Sequence, residues 1–120
     1  MKSDIHFEKY ERFRESAEQE RYIPSRIEDY FKAAFHLIES VAYKKMGVHI
    51  GMPNKVAIVL SSNPEIFGSS TEKIVEEFLR LEINTFSAEK TTEGFEEILE
   101  DTKETFKKIE RICRGILKAD

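Results

Sequence analysis

Three histidines, one cysteine and a few cations between apolar residues are what this chain offers for chemistry. His36 stands among Phe35, Leu37 and Ile38, where a histidine is commonly a packed residue of the core or its edge. His49 follows Gly47 in a loop, and His6 lies near the start of the chain. No two histidines have ligand spacing on one helix, and neither H-E-x-x-H nor E-x-x-H occurs, so neither a metal site nor a cofactor is expected. Cys113 is the only cysteine, which excludes a disulfide within the chain and a cysteine zinc site. It falls on an apolar stripe and reads as a small buried thiol. No glycine-rich phosphate loop or nucleophile elbow is present. Ser61, Ser62, Ser69 and Ser70 flank turns and helix starts, where serine is expected on conformational grounds.

The cations are more informative. Lys44, Lys45 and Lys55 bracket the Gly47–Pro53 loop, with His49 between them. Cations at a helix end are favoured by its dipole, and the same residues could form a small patch for an anion or an RNA backbone. The basic end of the last helix admits the same two readings. Arg80 sits between Leu79 and Leu81, close to an apolar stripe, and must pair or reach solvent. Glu76, Glu77 and Asn84 are within its reach by helical spacing. The candidate phosphate- or RNA-binding set is therefore Arg80, Asn84, Lys45, His49 and Lys55, with no residue assigned as catalytic. A net charge of −4 argues against strong non-specific binding to nucleic acid.

The elements that must position these residues are helices. Asp4 to Arg21 reads as a first helix, with Phe7, Tyr10, Phe13, Arg14 and Ala17 on a narrow inward face. Ser25 to Gly47 reads as the central helix, opened by an S-x-x-E capping box at Ser25 and Glu28 and closed by Gly47. Its apolar positions, from Ile27 through Ala42, widen beyond half the circumference, as in a helix touched on several sides. Pro53 or Asn54 opens a short helix through Leu60; a lone strand there would leave its backbone groups unpaired. Ser61 to Ser70 is a loop with Ile66 and Phe67 tucked inward. A second capping box, Ser69 and Glu72, opens a helix that sends Ile74, Val75, Phe78, Leu79 and Leu81 inward and runs to about Thr85. Phe86 to Thr92 reads as a polar connection, with Thr91 or Thr92 capping the last helix. That helix carries Phe95, Ile98, Leu99, Thr102, Phe106, Ile109, Ile112, Cys113, Ile116 and Leu117 on one side. Glu104–Lys108 and Glu110–Arg114 are spaced as i,i+4 ion pairs on its surface. The expected fold is all-α: an antiparallel up-and-down four-helix bundle with one short extra helix.

The 120 residues suit a single domain, 1–120, with 40% hydrophobic and 35% charged residues, a globular composition. No apolar run approaches the roughly 20 residues of a membrane span. The first residues, MKSDIHFEKYERFRES, lack the apolar core of a signal peptide. No membrane association and a cytoplasmic location are expected.

The order of elements resembles the HEPN superfamily, small all-α domains of prokaryotic toxin–antitoxin and defence systems. The resemblance rests on the Y-F-K-A-A-F-H-L run at Tyr30–Leu37, a loop with Gly then Pro, a short apolar helix and a final Glu/Lys-rich helix. It spans about Tyr10 to Leu117. The family's diagnostic motif is an arginine, four to six residues, then a histidine, near the end of the third long helix. Arg80 matches the arginine, in FLRLEINTFSAEK, but the histidine position holds Thr85, Phe86 and Ser87. In active members the arginine and histidine of two subunits meet in a cleft and promote metal-independent RNA cleavage through the 2′-hydroxyl. The resemblance implies a homodimer, and a small nucleotidyltransferase, RNA or a nucleotide as further partners. The missing histidine removes the proton-transfer group. The expectation is a non-catalytic binding or interaction module; the alternative is a ribonuclease that uses Arg80 with His36 or His49.

Overall fold

The computed structural model describes the backbone of residues 2–119 and the side chains of residues 5–119. Every regular element in that range is helical: α1 (Lys2–Gln19), α2 (Ile23–Met46), α3 (Val56–Ser62), α4 (Thr71–Lys90) and α5 (Phe95–Ala119). Short 3₁₀ turns at Pro53–Lys55 and Gly68–Ser70 lead into α3 and α4. The apolar run Val56–Leu60 is thus part of a helix, and no strand occurs among the described residues. No helix of the described residues is long and apolar enough to cross a membrane.

The width of the α2 stripe sets the architecture. Ile27, Tyr30, Ala33, Ala34, Phe35, Leu37, Ile38, Val41 and Ala42 are all buried, because α2 packs on α1, α4 and α5. Ala33 and Ala34 carry only a methyl group each, which lets neighbouring helices approach closely. Gly47 ends the helix in the left-handed conformation, φ 65°, and its N–H donates to the Tyr43 carbonyl at 2.8 Å. A side chain is strained at that φ, which is why glycine closes the helix.

The start of α2 differs from expectation. The helix begins at Ile23, Pro24 lies in its first turn, and the cap residue Tyr22 offers no side-chain hydrogen bond. Proline is preorganised for a first turn and lacks an N–H that would need a partner. The helix therefore extends back past Ser25, and the Ser25–Glu28 capping box is not the start signal. The Ser69–Glu72 box is not used either. Here α4 starts at Thr71, whose hydroxyl donates to the Gly68 carbonyl at 2.7 Å.

Helix α4 also runs further than Thr85, to Lys90. No glycine or proline interrupts residues 69–90, and Ala88 is buried in continuation of the Ile74, Phe78 and Leu81 face. Leu79, expected inside, is 52% exposed, because Phe78 and Leu81 take the core-facing positions. Thr91 lies in the turn before α5, with its hydroxyl accepting from the Glu93 N–H at 3.2 Å. Gly94, at φ 78°, completes that turn and α5 starts at Phe95.

Charged residues on α5 reach other helices rather than the i,i+4 positions expected of them. Lys108 lies 3.5 Å from the buried Glu77 carboxylate on α4. Glu110 accepts from the Tyr10 hydroxyl and from Arg14 at 3.1 Å, while Arg114 donates to the Tyr10 oxygen at 2.8 Å. Burial and the hydrogen bond to Glu110 push the Tyr10 hydroxyl pKa up to about 12, so it stays protonated. This network fastens α1 to α5.

Candidate functional site

The three histidines, far apart in the chain, converge. Helix α1 supplies His6. One face of α2 supplies His36 and, three residues on, Glu39. The segment after the Gly47 cap turns back and supplies His49 and the Gly51 backbone. Glu39 is the centre: it is 4% exposed, His36 Nδ1 is 3.0 Å from its Oε1, and the Gly51 N–H donates to Oε2 at 3.2 Å. Phe13 stacks on the His36 ring at 5.5 Å between centroids and 6° between planes, and Phe35 packs beside it at 5.3 Å. These rings fix the imidazole that holds Glu39.

His6 is less well matched. Its Nδ1 is 3.3 Å from Glu39 Oε1, yet it is enclosed and makes no hydrogen bond among the described residues. Its ring lies 5.4 Å from that of His49 and 6.3 Å from that of His36. Burial lowers the His6 pKa, Glu39 works in the opposite sense, and His49, His36 and Lys9 lower it further. Burial on its own would raise the Glu39 carboxyl. The hydrogen bond with His36, the nearby His6 and the Gly51 N–H outweigh it and hold Glu39 below its usual value. One ligand atom each from His6, Glu39 and His49 lies within 4.8 Å of the others, so these three side chains are placed to share a metal ion.

Neither His6 nor Glu39 stood out in the sequence. The legible signal was H-x-x-E at His36–Glu39, which puts both side chains on one helix face.

The second constellation joins α4 to α5. Arg80 grips Asp101 with two hydrogen bonds, Nε to Oδ2 at 2.8 Å and Nη2 to Oδ1 at 2.7 Å. Asn84 donates to the same carboxylate at 2.8 Å and lies 3.2 Å from the Thr102 hydroxyl. Arg80 and Asn84 are thus brought together as a pair, but on Asp101 rather than on the Glu76 and Glu77 of their own helix. The hydrogen bond from Arg80, opposed by partial burial and aided by Asn84, holds Asp101 below its usual pKa. At the positions after Arg80, the Thr85 hydroxyl donates to the Leu81 carbonyl at 2.9 Å and Phe86 is exposed. Of the other candidates, Lys45 is in the last turn of α2, Lys55 closes the Pro53–Lys55 turn, and His49 lies against His6.

Beside this pair, Leu79, Ile83 and Phe86 form an apolar row on α4 at i, i+4 and i+7, each 52–59% exposed. Phe86 also lines a groove of about 300 Å³ with Phe31, Met52 and Pro53. No family model, curated protein or solved structure matches the chain.

Proposed function

We propose that the chain is a non-catalytic interaction module of HEPN type: an antiparallel four-helix bundle with a short extra helix, acting as a homodimer. The observation that supports this most directly is the Leu79–Ile83–Phe86 row. Exposed apolar residues are common singly, but a row along one helix next to an apolar groove is what a partner covers. A single straight ridge fits a second copy, since the same patch on both subunits packs about a two-fold axis. Arg80 and Asn84 flank the ridge, and the resemblance would have Arg80 lie in a dimer cleft. The absence of catalysis rests on chemistry. Thr85, Phe86 and Ser87 hold no group that titrates near neutral pH, and Arg80 carries charge but cannot shuttle a proton. A small nucleotidyltransferase, RNA or a nucleotide are the partners proposed for the dimer.

A second reading, a metal-independent ribonuclease using Arg80 with His36 or His49, draws on the His36–Glu39 pair. A carboxylate on one ring nitrogen orients an imidazole and strengthens it as a base. Against it, the hydrogen-bond partners of Arg80 are on Asp101, while His36 is engaged with Glu39 and two phenylalanines.

The test is light scattering at micromolar concentration together with RNA incubation in the absence of metal. The expected result is a dimer that yields no 2′,3′-cyclic phosphate ends, and a monomer for Ile83→Glu/Phe86→Glu with unchanged helical circular dichroism. A monomeric wild-type protein would overturn the reading. Cyclic-phosphate ends abolished by His36→Ala or His49→Ala would replace it with the ribonuclease.

A further inference from the structure

We propose that His6, Glu39 and His49 bind one divalent transition-metal ion of the zinc class, with His36 holding Glu39 in place from behind. Three observations support this.

The first is the mismatch at His6. An enclosed Nδ1 faces a carboxylate oxygen at 3.3 Å without a hydrogen bond. If that nitrogen is unprotonated, two lone pairs oppose each other; if protonated, its N–H is misaimed. A cation between them satisfies both groups. The second is the fixing of Glu39 by His36 at 3.0 Å and the Gly51 N–H at 3.2 Å. Each carboxylate oxygen has two acceptor sites, so these bonds leave a lone pair free on either oxygen. Outer partners of this kind orient metal-binding carboxylates. The third is spacing. Zinc bonds to nitrogen and oxygen of about 2.0–2.1 Å set tetrahedral ligand atoms roughly 3.4 Å apart. The three atoms now lie within 4.8 Å, and His49 is exposed on a segment without regular structure, so its ring can close the remaining distance.

Ligand chemistry selects the ion. Two imidazoles and one carboxylate suit zinc, cobalt, nickel or copper, whereas calcium and magnesium favour sites made of oxygen. Three protein ligands leave the fourth tetrahedral position to water, on the solvent-facing side of His49. The ion would tie α1, the middle of α2 and the segment after Gly47 into one unit. This inference is independent of the dimer ridge, which uses other residues.

The experiment is calorimetric titration of the untagged full chain, first stripped with EDTA, with zinc chloride. The visible absorption of a cobalt(II) titration is followed in parallel. One ion per chain is expected, with a cobalt spectrum of tetrahedral intensity. His49→Ala should weaken binding at least about 100-fold while leaving helical circular dichroism unchanged, since His49 is exposed. His36→Ala should weaken binding about 10- to 100-fold and keep the cobalt spectrum, as expected of a residue that positions a ligand. No uptake at one equivalent, or uptake that survives both His49→Ala and Glu39→Gln, would overturn the proposal.

Discussion

Arg80 and Asp101 meet as fork and carboxylate across α4 and α5, two parallel hydrogen bonds of 2.8 and 2.7 Å on an exposed surface. The geometry occupies the edge of the guanidinium that would otherwise grip a phosphate. Asp101→Asn should therefore release Arg80. The expected outcome is several-fold tighter binding of single-stranded RNA at low salt, with a steeper salt dependence by about one phosphate contact. Glu104→Gln, which changes net charge equally, serves as the control. If both variants bind alike, Arg80 has no latent role in holding phosphate.

The facing of α5 gives a stability prediction. Phe106 is 2% exposed, and its ring lies 5.1 Å from Tyr30 and 6.4 Å from Tyr10. Phe106→Ala should cost about 3–5 kcal/mol, from lost transfer energy plus the cavity left behind. Glu104, two residues earlier, is exposed, and Glu104→Ala should change stability by less than about 0.5 kcal/mol. Urea melts with similar midpoint shifts for the two would contradict this facing.

Acid should loosen the fold in two stages. The His6 pKa is lowered from 6.5 in the folded chain, so the unfolded chain takes up that proton first. Stability then falls as pH drops below 6.5 and levels once folded His6 is protonated. The Glu39 carboxyl is lowered from 4.5, so its contribution is complete above 4.5 and is lost as pH falls through the folded value. His36 and His49 face His6 from neighbouring segments and Lys9 from its own helix, all lowering its pKa as burial does, while Glu39 opposes them. Urea midpoints in EDTA at pH 7.5, 5.5 and 4 should fall in that order. Glu39→Gln should flatten the leg below 4.5, and His6→Asn the leg just below 6.5. A wild-type midpoint unchanged between pH 7.5 and 5.5 would remove His6 from this account.

What could be read from the sequence follows the range of each interaction. The central helix was readable because its apolar stripe and Gly47 are local signals. So were Ile66 and Phe67, both buried in an otherwise polar loop. The end of α4 was misplaced because Phe86 to Thr92 is polar in composition. Its real continuity lay in Ala88, which keeps the helical register, and in the lack of a breaker. The partner of Arg80 was missed because helical spacing finds neighbours on the same helix, whereas Asp101 is 21 positions away. Apart from the H-x-x-E spacing at His36–Glu39, the histidine cluster was hidden for the same reason. Each of its three segments looks ordinary alone, and only the packing of α1 on α2 and the turn after Gly47 bring them together.

The fastening of Tyr10 to Glu110 spans 100 positions, and this sets an order of assembly. Helices α1 and α2 are adjacent in the chain and pack directly on each other, so their pairing closes only a short loop. The tie to α5 is a distant contact, with a large loop-closure entropy and no possibility of forming until the last helix has been synthesised. A growing polypeptide thus carries a half-built core, with the α2 surfaces destined for α4 and α5 still bare. The final helix acts as a latch: its arrival buries Phe106 and Ile109 and gives the Tyr10 hydroxyl its acceptor in one step.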